Sequence, residues 1–232
     1  PQVDIQLLIE DGQKFEKNQR LLELKGSSSS LVAGERVALN VAMHLSGIAT
    51  STALLVSKLS GSNIKLADTR KTTPGLRIFE KYAFHCGGGI NHRLGLDDAA
   101  MLKENHIAWT DGIESAIEII RRSCPWPTRI IVEAETPKQA EEAVRGGADA
   151  ILLDEMSPEL IVSLVPRLRN LAANHSQKRP SNQIILEVSG IDPKNLKAYA
   201  SAGVDLISTS APITKSSWID FSMRFNNFVE ET

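Results

Sequence analysis

The chain has 232 residues, 42% of them apolar, with 26 Lys and Arg against 28 Asp and Glu. That composition can bury a sizeable α/β core, and a net charge of −2 excludes the global basic field of a non-specific nucleic-acid binder. No apolar run approaches the ~20 residues of a membrane span. The two cysteines, Cys86 and Cys124, form neither a metal-ligand pattern nor a disulfide framework, so a cytoplasmic protein is expected.

Residues 2 to 9 and Leu21 to Leu24 read as short strands of a small antiparallel sheet. The chain opens at Pro1 within what looks like a strand already under way, so a preceding segment is expected to be missing. Ser27 to Ser30 read as a loop. Leu31 to Leu59 carries apolar residues at helical spacing, with Gly47 as a break between two helices. From about Ile64 a strand-then-helix unit repeats. Ile130 to Glu133, Ala150 to Asp154, Ile184 to Glu187 and Val204 to Ser208 are apolar runs suited to strands buried on both faces. Thr136-Pro137-Lys138-Gln139, Ser157-Pro158 and Asp192-Pro193 mark helix starts, and Gly146-Gly147 and Ala202-Gly203 mark stops. Asn174 to Asn182 reads as an exposed polar loop.

These units predict a parallel α/β barrel, in which functional residues gather at the C-terminal strand ends. The positions are Asp68 to Lys71, Lys103 to Asn105, Glu133, Asp154, Ser189-Gly190 and Ser208 to Ser210. Arg70 with Lys71, His92 with Arg93, and Lys103 form three cationic clusters on successive loops, an arrangement that a dianion would satisfy. Singly, each reads more readily as a solvated charge or the partner of an acid such as Glu80 or Glu104, and it is the clustering at strand ends that reverses this. Glu133 and Asp154 each close an apolar strand and are expected side by side at the barrel mouth, able to hold Mg²⁺, sugar hydroxyls or a developing positive charge. Ser189-Gly190 before a helix start is a generic phosphate site or a plain turn. Gly87 to Gly89 reads as a tight turn, His92 as a candidate ligand donor or general acid, His106 equally as a packed structural residue, and His44 and His175 as background.

Gly34 to Asn40, Thr69 to Arg77, Glu80-Lys81-Tyr82, Gly87 to Arg93 and Lys103 to His106, together with the ending Ile219-Asp220-Phe221-Ser222, closely resemble the quinolinate phosphoribosyltransferase family. The resemblance implies a partial N-terminal α/β open sandwich, here residues 1–40 with 215–232, beside an incomplete parallel α/β barrel over residues 41–214. It implies conversion of quinolinate and phosphoribosyl pyrophosphate, with Mg²⁺, to nicotinate mononucleotide, pyrophosphate and carbon dioxide in NAD biosynthesis. By position, Arg70, His92 and Arg93 match residues that grip the quinolinate carboxylates. Arg36 matches one reaching in from a neighbouring subunit, which implies a homodimer or a higher oligomer. Lys71 and Lys103 match catalytic residues near the phosphates and the substrate, Glu133 and Asp154 the acids at ribose and metal, and Ser189, Gly190 and Ser210 the phosphate-binding loops. Ile191 and Ser210 stand where glycine is common in the family, and Lys215 where histidine is frequent. The alternatives are a phosphoribosyltransferase for another pyridine carboxylate and a non-catalytic ligand-binding subunit.

Overall fold

The structure, a computed structural model, describes residues 2–178 and 183–225. Strands β1 (Val3–Leu7) and β2 (Leu22–Gly26) pair antiparallel, with Ile5 opposite Leu24, as the alternation of the sequence predicts. They lead into α1 (Ser28–Lys58), which differs from the sequence expectation at two points. The serines are not a loop: Ser27 caps the helix by accepting from the Ser30 N–H, and Ser28 to Ser30 form its first turn.

Nor does Gly47 break the helix, which runs unbroken for 31 residues. A Cβ on Gly47 would lie 2.3 Å from the Ser217 carbonyl oxygen. The glycine serves a close crossing by the C-terminal segment, which is fastened by Ile219 N–H to the Met43 carbonyl at 3.1 Å. A tertiary approach, invisible to local propensity, thus decides this position.

By length and composition α1 is apolar enough to cross a membrane, contrary to the sequence reading. Its second half, however, buries Gly47, Ile48, Thr52 and Leu55 against the protein, as the core helix of a folded domain does. The first half leaves Val32, Val37 and Val41 exposed.

The remaining elements build the barrel: β3 (Lys65–Ala67), α2 (Arg77–Cys86), β4 (Ala99–Leu102), α3 (Glu104–Ile107), α4 (Ile113–Ser123), β5 (Arg129–Ala134), α5 (Pro137–Gly146), β6 (Ala150–Asp154), α6 (Pro158–Asn174), β7 (Ile185–Ser189), α7 (Leu196–Tyr199), β8 (Leu206–Ser208) and α8 (Ala211–Lys215). All six barrel strands pair in parallel, in the order β3-β8-β7-β6-β5-β4. The free edge of β3 carries a one-residue bridge, Ala67 to Ile90, and among the described residues the ring closes no further on that side. The barrel is therefore incomplete, as expected.

The capping signals hold at two helices. Thr136 and Gln139 form a reciprocal capping box for α5, and Ser157 caps α6. Asp192-Pro193 is a correction: Asp192 caps only a short 3-10 turn, Pro193–Asn195, that runs into the four-residue α7. Gly203, at φ +77°, lies just beyond it. The stretch called an exposed loop begins within α6 and continues through a 3-10 turn at Ser176–Lys178, and residues 179–182 lie outside the described residues.

Alternation sorts the strands' side chains. Ile130, Val132, Ile151, Leu153, Leu186 and Val188 pack outward among the helices, whereas Ala99, Ile131, Ala150 and Leu152 form a small separate interior cluster with Met101 and Ile185. Above that interior floor the inward positions turn polar: Glu133, Asp154, Glu187 and Ser189.

Candidate functional site

The site lies at the C-terminal strand ends, and three loops bring its cations there. Arg70 and Lys71 follow β3, His92 and Arg93 follow the Ile90 bridge, and Lys103 follows β4. Arg70 and Lys71 are exposed, whereas His92, Arg93 and Lys103 are half-buried. Burial holds the Arg93 guanidinium below its usual range, and the charge of nearby Arg70 lowers it further against the opposing pull of Asp98. Two guanidiniums within electrostatic reach of each other, one of them desolvated, form a place where a dianion relieves repulsion. Arg93 is aimed by its own bond to the Ala99 carbonyl at 2.9 Å.

Asp68 proves to be structural. It is fully buried, ion-paired to the equally buried Lys81, and accepts from the His92 N–H at 2.8 Å. The Asn91 amide, oriented to suit its neighbours, adds a bond to the second Asp68 oxygen at 2.8 Å. Burial pushes the Asp68 carboxyl up, while Lys81 and the His92 N–H pull it down.

On the acidic side, Glu133 forms an ion pair with Lys103, and Asp154 accepts from the Ser189 hydroxyl. The two acids share the inner face of neighbouring strands but not one level. Glu133 stands opposite Leu152, so Asp154 sits one inward step nearer the mouth. Among the described residues no group of three His, Cys, Asp or Glu side chains could hold a metal by itself. Two carboxylates suit an ion such as Mg²⁺ that takes its other ligands from phosphate and water.

Gly190 adopts φ +70°, and a Cβ there would lie 2.7 Å from the Glu155 Cγ and 2.9 Å from an Asp154 carboxylate oxygen. Its glycine is therefore required. Glu155 itself has φ +53°, an uncommon conformation for that residue. Ser210, where the family favours glycine, has φ −88°, so its backbone there tolerates any side chain. Its carbonyl accepts from Thr214 N–H at 2.9 Å.

Gly87 to Gly89 form the expected tight turn. Cβ atoms on Gly87 and Gly89 would lie 2.4 Å from the Ala49 carbonyl and 2.2 Å from the Phe84 ring. His106 is exposed rather than packed, and its Nδ1 accepts from the Lys103 N–H at 3.1 Å, fixing that loop. Arg36 lies exposed on α1, and its side chain forms no hydrogen bond or ion pair among the described residues.

Two site residues escape the sequence reading. Glu187 is almost completely buried; its Oε2 lies 3.2 Å from His92 Nε2, and its Oε1 has no partner. Since His92 Nδ1 accepts from the Arg93 N–H at 2.7 Å, the ring is assigned as the Nε2–H tautomer, donating to Glu187. Its signal in the sequence is parity: it lies two residues before Ser189 and so points to the same face. His44, read as background, lies 2.8 Å through Nε2 from the buried Glu80, whose other oxygen accepts from the Thr73 N–H at 2.9 Å.

The sequence profile of the quinolinate phosphoribosyl transferase C-terminal domain matches residues 48–224, and that of the N-terminal domain matches residues 1–46. The chain belongs to the quinolinate phosphoribosyltransferase family. It is 42% identical, over 97% of its length and 73% of the relative's, to a Synechocystis protein named "Probable nicotinate-nucleotide pyrophosphorylase (carboxylating)". It is 37% identical to the nicotinate-nucleotide pyrophosphorylase (carboxylating) of Mycobacterium leprae, over 88% of this chain and 68% of that one. The crystal structure of NadC from Streptococcus pyogenes superposes with a TM-score of 0.85 at 39% identity, covering 96% of this chain and 75% of that one. The chain thus spans about three quarters of the length of the Synechocystis and Streptococcus relatives.

Proposed function

We propose that this family member acts as a nicotinate-nucleotide pyrophosphorylase (carboxylating) through the residues assembled at the barrel mouth, joining quinolinate to phosphoribosyl pyrophosphate with loss of pyrophosphate and carbon dioxide. The observation that carries the assignment of residues is the placement of Arg70 and the half-buried Arg93 on two loops at one end of the barrel, where one dicarboxylate would meet both charges. His92 precedes Arg93 on the second of these loops.

The chemistry needs no protein nucleophile. As the pyridine nitrogen forms its bond to the ribose carbon, pyrophosphate leaves with the electron pair of the broken bond. The carboxylates of Glu133 and Asp154 favour the positive charge that develops on the sugar, and Lys71 and Lys103 favour the departing anion. Lys103 and Glu133 form an ion pair, and the substrates offer each of them a new partner, an anion for Lys103 and the sugar's positive charge for Glu133. Glu133 and Asp154 would hold Mg²⁺ together with substrate oxygens, and the ion supplies charge neutralisation at the pyrophosphate. Ser189, Gly190 and Ser210 receive the sugar's phosphate. The ring, now cationic, accepts the electron pair released as the adjacent carboxylate leaves as carbon dioxide, and solvent protonates that carbon. Positioning and electrostatics therefore supply the rate enhancement.

A homodimer completes the site. The exposed Arg36 and the apolar residues Val32, Val37, Ile78 and Phe79, uncovered on α1 and α2, are the surface that a second copy would cover, placing Arg36 of the partner subunit at the quinolinate pocket. Residues 1–40 and the C-terminal segment form one unit, as supported by the Phe15 and Phe221 rings at 5.6 Å; residues 226–232 lie outside the described residues. The free cysteines fit a reducing cytoplasmic compartment.

The test is turnover of quinolinate with phosphoribosyl pyrophosphate, followed as carbon dioxide release, together with quinolinate binding to Arg70→Ala. Binding should be lost in that variant, and wild-type affinity there would sink the assignment. Preference for nicotinate over quinolinate would instead point to a monocarboxylate enzyme.

A further inference from the structure

We infer that α2 is a clamp for the dicarboxylate site, with Arg77 and Glu80 as positioning residues and Lys81 completing the grip. The inference rests on the reading of Arg70, His92 and Arg93 as the dicarboxylate's partners. Positions 77, 80 and 81 are three and four residues apart, and so share one face of the helix.

The Arg77 guanidinium spans both cationic loops. Its Nε donates to the Thr72 hydroxyl at 3.1 Å, its Nη2 to the Arg70 carbonyl at 3.4 Å and its Nη1 to the Leu94 carbonyl at 3.0 Å. One side chain thereby ties the backbone beside Arg70 and Lys71 to the backbone beside His92 and Arg93. Glu80 then holds the first loop by the Thr73 N–H at 2.9 Å, and is itself held by His44 of α1, whose ring lies 5.9 Å from Trp218. Lys81 holds the second loop through the His92 carbonyl at 2.9 Å and through Asp68, which accepts from the His92 N–H.

The grip has a physical reason. Arg70 and Arg93 repel each other, and the unclamped loops would relax by moving their charges apart into water. Bringing both guanidiniums within reach of one small dianion requires the loops to be fixed before it binds, so that ordering is not charged against its affinity. Arginine suits position 77 because its planar fork meets three acceptors in fixed directions. Lysine, a single point charge on a flexible stem, cannot span both loops.

The experiment compares Arg77→Lys, Glu80→Gln and Glu80→Ala in the full chain by quinolinate calorimetry, steady-state kinetics with each substrate varied, and thermal unfolding. Arg77→Lys should weaken quinolinate binding and raise its KM about tenfold. Its thermal midpoint should hold, and the KM for quinolinate should rise more than that for phosphoribosyl pyrophosphate, which meets the clamped loops only through Lys71. Glu80→Gln keeps an oxygen for the Thr73 N–H and should stay near wild type, whereas Glu80→Ala should lose quinolinate affinity as Arg77→Lys does. Unchanged quinolinate affinity in Arg77→Lys, or equal rises in both KM values, overturns the clamp. If Arg70→Ala also binds quinolinate normally, the site reading itself has failed. If only Arg70→Ala loses binding, the clamp alone has failed.

Discussion

Lys81→Met tests the electrostatics beneath the cationic loops. The substitution keeps most of the side-chain volume but removes the buried positive charge beside Asp68, which has no exposed surface. Removing one partner of a buried ion pair costs about 3–5 kcal/mol, because the other charge is left uncompensated. Here the cost depends on pH in a calculable direction. Burial already pushes the Asp68 carboxyl up, and Lys81 is the largest influence pulling it down; without Lys81 the carboxyl rises further in the folded state only. A folded value above the unfolded one means that the folded protein binds the extra proton. Wild-type Asp68 is itself raised in the folded state, so the variant's deficit stays small until the pH passes that raised value. It grows by about 1.4 kcal/mol per pH unit until Asp68 ionises in the folded state, and is constant above that. Urea unfolding of wild type and variant should therefore differ little near pH 4 and by about 3–5 kcal/mol at pH 8. Asp68→Asn combined with Lys81→Met should recover more than half of the deficit at pH 8, since Asn still accepts from the His92 N–H. A deficit independent of pH, or a double variant no better than the single one, refutes the reasoning.

Four further outcomes follow from single positions. Glu187→Gln removes a buried charge whose Oε1 is unpartnered; it should stabilise the protein by about 1 kcal/mol in urea unfolding while lowering kcat/KM for quinolinate, a combination expected of a site that trades stability for activity. Glu155→Gly relieves the left-handed conformation at φ +53° and should raise stability by about 1 kcal/mol, whereas Gly190→Ala, crowded by Glu155 and Asp154, should raise the KM for phosphoribosyl pyrophosphate at least tenfold by roughly the misplacement argument. Gly47→Ala drives a methyl into the Ser217 carbonyl and should cost about 1–3 kcal/mol in thermal or urea unfolding; a neutral result would show that the C-terminal segment yields without cost.

What could be read in the sequence was what local physics writes there. The Thr136-Pro137-Lys138-Gln139 box reports its own helix start because cap and reciprocal partner lie three residues apart. The apolar runs of β5 and β6 report burial on both faces, and Glu133 and Asp154 at their ends report the barrel mouth. The errors share the opposite property. Gly47 reads as a breaker because the carbonyl it accommodates is 170 residues away along the chain, and Ser27 to Ser30 read as a loop because a cap and a turn use the same residues. Glu187 was hidden by counting its strand as an apolar run and not by parity, which sets it on the inward face with Ser189. Arg77 and Glu80 sit among residues whose likeness to the family was legible, yet their work was not, since each acts on backbone atoms that only the docking of α2 brings within reach. The groups at the barrel mouth are thus announced by charge at strand ends. The groups that fasten their loops, the half-buried Arg77 and the buried Glu80 and Lys81, are addressed to the main chain, and they become visible only when the helix and the two loops are seen together.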